Sequence, residues 1–181
     1  MEVNFFLPGL RRNYPINVTF IRLLQDHPEF LCVCVKIAAC SGEFPPSLWA
    51  GGRNSRPDMC DEKFINTCIK TMNGLGVPIR YTYTNVLIEE EDLKDPFCNY
   101  CLQAADNGMN GVILVSPLLE EYVRKHHPNM DIISSTCKCI KGVEGVNAEL
   151  EKDYHMVVLD YNMNNRFEEL EKITDKGRCE I

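Results

Sequence analysis

Three cations and one carboxylate, Lys36, Arg80, Lys138 and Asp160, fall within short β-rich runs of this chain. If the runs share a sheet, these side chains converge. An excess of fixed positive charge in a low-dielectric cavity favours an anionic ligand such as a carboxylate or phosphate. On this reading Lys36, Arg80 and Lys138 hold charge, Asp160 is the candidate general acid or base with Lys138 beside it, and Glu180 is a further anion. Asn85 and Asn162 orient the substrate by hydrogen bonds, and Glu43 and Arg53 reach it from a long loop. The alternative is that the charges neutralise one another in a buried network that fixes packing.

The cysteines offer a second chemistry. "CNYC" (98–101) is a C-x-x-C pair whose sulfurs share one side of a helix and could chelate or exchange disulfides. No second C-x-x-C completes a zinc site, and the pair falls within a periodic apolar face, which points to core packing. In "IISSTCKC" (132–139) strand alternation would place Ser134, Thr136 and Lys138 toward the site and turn Cys137 and Cys139 outward. His126 and His127 close a helix, where a cation interacts favourably with the dipole. The sequence specifies no cofactor and no metal.

The elements that must position these groups alternate along the chain. Strands are predicted over 3–9, 32–40, 78–85, 111–117, 131–138 and 155–162, with helices over 15–29, 58–76, 95–108, 117–128, 147–153 and 165–177. Asp58 is the expected N-cap of the second helix, with Gly74 and Gly76 as its stops. Six β-α units and the start of a seventh strand, "RCEI", imply a parallel sheet in a single domain over 1–181. A doubly wound sheet and a (β/α) barrel compete. Neither G-x-G-x-x-G nor G-x-x-x-x-G-K-[ST] occurs, which weakens a nucleotide-binding sheet.

Side-chain alternation favours the barrel. Arg80, Thr82 and Thr84 share a face opposite Ile79, Tyr81 and Tyr83, and Cys34, Lys36, Ala38 and Cys40 share another. Strands covered by helices on both sides should read apolar on both. A full barrel needs eight units and about 250 residues. The expectation is therefore a partial parallel (β/α) barrel: either a fragment, or an open sheet whose edge a partner or second copy covers. The loop 41–57 is long for a β-α connection; its Trp49 would serve as a lid or cover the core.

Composition narrows the partners. A net charge of −7 argues against a general nucleic-acid or anionic-membrane binder. The N-terminal run "MEVNFFLPGLRRNYP" lacks the basic leader of a secretory signal, and no stretch approaches the roughly 18 apolar residues of a spanning helix. A cytoplasmic setting is expected, with the ten cysteines as thiols.

The stretch "GMNGVILVSPLLEEYVRKHHPNMDIISSTCK", followed by "HMVVLDYNMNNRFEELEKI" and "CEI", resembles the barrel domain of the collagenase-like peptidase family over residues 78–181. There a strand ending in a polar residue leads into a helix beginning "ELxxEEI"; here the run is "DYNMNNRFEELEKI". The resemblance implies a (β/α) barrel. Several family members are implicated in oxygen-independent hydroxylation of RNA bases or quinone precursors, using an iron–sulfur cluster held by cysteines downstream of the barrel strands. This sequence has no such group by Ile181, so neither cluster nor ligands carry over. The expectation is an uncharacterised barrel domain that binds a small anionic substrate at the carboxyl ends of its strands; the alternative is a non-catalytic interaction module completed by a partner or by dimerisation.

Overall fold

Three helices open on a proline, which lacks the N–H that a first turn leaves unpaired anyway: α1 (Tyr14–Asp26), α3 (Pro96–Ala105) and α4 (Pro117–His126). Side-chain caps supply acceptors for other unpaired donors. Asp61 accepts from Phe64 N at the start of α2 (Glu62–Gly74), Asp95 from Cys98 N in α3, and Ser116 from Leu119 N in α4. The predicted cap of α2, Asp58, lies outside the described residues. The structure, a computed structural model, describes residues 3–32, 34–51 and 59–181.

Between these helices run β1 (Val3–Pro8), β2 (Val35–Gly42), β3 (Ile79–Tyr83), β4 (Gly111–Leu114), β5 (Asp131–Ser134), β6 (Met156–Val158) and β7 (Cys179–Glu180). Helices α5 (Gly142–Leu150) and α6 (Phe167–Leu170) complete the alternation. Strand order in the sheet follows chain order, and every pair is parallel. The result is a curled α/β half-barrel whose edges are β1 and β7, as the alternating pattern predicts. No helix among the described residues is long and apolar enough to cross a membrane.

The core lies between the convex side of the sheet and the helices. Ile79, Tyr81 and Tyr83 of β3 enter it, and the two tyrosine rings stack 5.2 Å apart. Two strands depart from simple alternation. In β1–β2 the register slips, Phe5 opposing Ile37 and Phe6 opposing Ala39, so Ala38 is an extra residue in β2. A bulge of this kind reverses the facing of the later residues in its strand. Cys40 therefore leaves the face of Lys36 and enters the helix-side core, accepting a hydrogen bond from Asn17 Nδ2 at 3.3 Å.

Strand β5 ends at Ser134, and residues Thr136–Lys138 form a single 3-10 turn. The face read from "IISSTCKC" is thereby corrected. Ile132 belongs to the helix-side core and Ser134, two residues on, points the same way.

Candidate site in the hollow of the half-barrel

Arg80, second residue of β3, occupies the concave side because its neighbours Ile79 and Tyr81 take the convex one. Its Nη1 donates to Glu180 Oε2 of β7 at 3.1 Å and lies 3.6 Å from Met156 Sδ of β6. Its guanidinium carbon stands 4.5 Å from the ring centre of Phe6 in β1. One side chain of β3 thus touches both edge strands across the hollow, which only a strongly curled sheet permits. Burial lowers the pKa of Arg80, with Glu180 and Asp131 opposing that shift. Burial also raises the carboxyl of Glu180, which Arg80 offsets only in part.

Nε and Nη2 of Arg80 enter neither of these bonds. Arg80 lines a cavity of about 380 Å³ with Asn4, Lys36, Asp131 and His155 among its other walls. His155 Nδ1 lies 3.4 Å from Asp131 Oδ2. Gly111, opening β4, belongs to the same wall, and a Cβ there would sit 2.7 Å from the carbonyl of Asp131. Most of these residues begin their strands or immediately precede them, so the cavity is at the N-terminal mouth of the half-barrel. Sequence reasoning that looked only to strand ends missed Asp131 and His155.

The expected convergence of three cations does not occur. Arg80 and Lys36 share the cavity, whereas Lys138 lies outside the sheet between α4 and α5. There its Nζ donates to Glu149 Oε1 at 2.8 Å and to Tyr154 Oη at 2.7 Å, 3.5 Å from Glu120 Oε2. Glu149 also accepts from Ser134 Oγ at 2.6 Å and Lys152 Nζ at 2.6 Å. Lys138 is thus neutralised in a buried network, but by Glu120, Glu149 and Tyr154, which no motif singles out, and not by Asp160 or the other cations of the expected cluster. The physical reason is the early end of β5: the 3-10 turn carries Lys138 over to α5.

Asp160 and Asn162 stand at the opposite, carboxyl end of β6. Asp160 Oδ1 accepts from Asn162 N at 2.8 Å and Asn162 Nδ2 at 2.7 Å, capping a short turn. Asn85 ties the long loop to β3, its Nδ2 donating to Leu48 O at 3.1 Å while its Oδ1 accepts from Leu87 N. Glu43 is half-buried just past β2, and Arg53 lies outside the described residues. Trp49 is core: fully buried, edge-on to Tyr83, its Nε1 donating to Asp92 O at 2.8 Å.

Cys98 and Cys101 are wholly buried, and Cys98 Sγ lies 3.3 Å from Ser47 Oγ. Burial pushes the Cys98 thiol up to about 12 and raises Cys101 as well, the opposite of what a reactive or metal-binding thiolate needs. Cys137 is half-buried and Cys139 exposed beside the 3-10 turn. Among the described residues no three His, Cys, Asp or Glu side chains are grouped to hold a metal ion.

Comparison with protein-family models and with curated proteins finds no match for this chain. Among solved structures, the U32 peptidase Mk0906 superposes on the whole chain with a TM-score of 0.57 at 14% identity. The match covers 66% of that protein, so this chain spans just under two thirds of its length. At this identity the likeness concerns architecture alone. The chain is similar in fold to a U32 peptidase, of the collagenase-like family that its second half resembles in sequence pattern.

Proposed function

We propose that this half-barrel binds a small anionic ligand, a carboxylate or phosphate of few atoms, against Arg80 at its N-terminal mouth. The observation that carries the reading is the half-used guanidinium: Nη1 is committed to Glu180, while Nε and Nη2 make no such bond on a residue that lines an open cavity. A planar guanidinium can take a second oxyanion along its remaining edge. Burial disfavours its charge more than Glu180 compensates, so an incoming anion gains where it would gain little in water. Lys36 adds positive charge on the same wall.

Asp160 is not a partner in this chemistry for one small molecule. It stands past the carboxyl end of β6, where it caps the following turn, while the cavity is at the end of the strand where Met156 begins it. Fold likeness to a peptidase adds no reaction, since one fold hosts many activities.

The test is an amide-resolved NMR titration with inorganic phosphate and with succinate. Saturable shifts at Gly111, Asp131 and His155 are expected, weakened at least tenfold in Arg80→Gln and several-fold in Lys36→Gln. Circular dichroism checks that both variants are folded. The absence of saturable shifts with either anion, or equal affinity in a folded Arg80→Gln protein, would sink the proposal. A second reading, an interaction module, draws on a different observation: apolar side chains exposed on α1.

A further inference from the structure

Helix α1 is apolar on two faces. Val18 and Ile21 are buried against the sheet, as a half-buried helix requires. Ile16, Phe20 and Leu23, spaced i, i+4, i+7, form a separate stripe that is 41–71% exposed. Phe5, on the convex side of edge strand β1, and Phe30, in the turn after α1, are exposed by 53% and 59%. These five side chains present on the order of 500 Å² of apolar surface, taking 150–250 Å² for a whole aromatic side chain. Scattered exposed apolar residues need no explanation, but three aligned along one face of one helix form a stripe that marks an interaction surface.

We infer that the stripe is a homodimer interface, in which α1 packs antiparallel against α1 of a second copy about a two-fold axis near Thr19 and Phe20. Charge placement points to a second copy. Exposed Arg12 stands just before the helix and exposed Asp26 ends it. The midpoint of Arg12 and Asp26 falls at Thr19, and that of Ile16 and Leu23 falls between Thr19 and Phe20. One axis therefore sets the stripe on itself and each arginine beside the other copy's aspartate, the self-complementarity an isologous contact demands.

Barrel closure by foreign strands fits less well. Across the hollow Arg80 already ties β3 to the edge strand β7 through Glu180, and Ile133 and Met156 are buried. The flank of α1 carries three exposed apolar side chains on one helix face.

Sedimentation equilibrium of the intact chain across a wide concentration range tests this. The mass should rise from 20.7 kDa toward twice that value with concentration. Phe20→Glu and Ile16→Glu, both at exposed positions, should each hold it at the monomer value. Arg12→Glu should weaken association several-fold, and Arg12→Glu combined with Asp26→Arg should restore it, a rescue that a merely sticky patch would not give. A monomer at every concentration overturns the inference, including the case in which the stripe serves another protein. A dimer untouched by Phe20→Glu and Ile16→Glu overturns it equally.

Discussion

At the scale of single residues, the most constrained charge is the carboxylate of Glu149. Burial alone would raise its pKa, but hydrogen bonds from Lys138, Lys152 and Ser134 prevail and hold it at about 2 against an ordinary 4.5. A carboxyl depressed on folding stabilises the native state fully above its unfolded pKa and loses that contribution as pH falls through the folded one. The window here runs from about 4.5 down to about 2. After allowance for solvent screening on the side of Lys152, which is exposed, the contribution is on the order of 2 kcal/mol at neutral pH. Urea unfolding should show Glu149→Gln less stable than wild type near pH 7, with less than half the gap left near pH 3. An unchanged gap would mean that the three bonds add nothing specific to the ionised form. Lys138 is held by the same contacts, which ties it to packing on the helix side.

At the scale of elements, the N-terminal mouth is held by one buried amide. Asn110 Oδ1 accepts from Ile79 N, the first N–H of β3, and from Asn73 Nδ2, each at 2.8 Å. Its Nδ2 donates to Ala105 O at 3.0 Å and to the side-chain oxygens of Asn73 and Asn107. The ends of α2 and α3 are thus pinned to the starts of β3 and β4, beside Arg80 and Gly111. Asn110→Ala should cost about 2–4 kcal/mol, because it strands several buried polar groups at once. A loss under about 1 kcal/mol in urea unfolding would show that water replaces the amide. In sequence, Asn73, Asn107 and Asn110 each precede a glycine, the first two near the ends of predicted helices and the third just before a predicted strand. That they meet is visible only in three dimensions. Facing was legible in β3, where polar and aromatic residues alternate without interruption. It failed in β2, where one extra residue reverses the pattern, and in β5, where Ser134 has a polar partner on the helix side.

At the scale of the whole molecule, strand order and parallel sense follow from the alternation of elements, and the curl depends on contacts no local pattern encodes. The pair Arg80–Glu180 joins residues a hundred positions apart, linking β3 to a two-residue edge strand. That strand adds little else: Val157 opposes Cys179, Val158 opposes Glu180, and Leu159 N donates to Glu180 O at 2.9 Å. Glu180→Gln should therefore cost about 2–4 kcal/mol, since it leaves the arginine buried without its counter-charge. Amide exchange should accelerate first at Leu159 and the residues of β7, the least supported part of the sheet. The double replacement Arg80→Met with Glu180→Met should recover most of the stability, because an apolar pair of similar volume pays no desolvation cost. If the single variant is neutral, the curl is fixed by packing of Phe6, Ile133 and Met156 alone. If the double variant is as unstable as the single one, the charge pair itself holds the edges of the half-barrel together across its hollow.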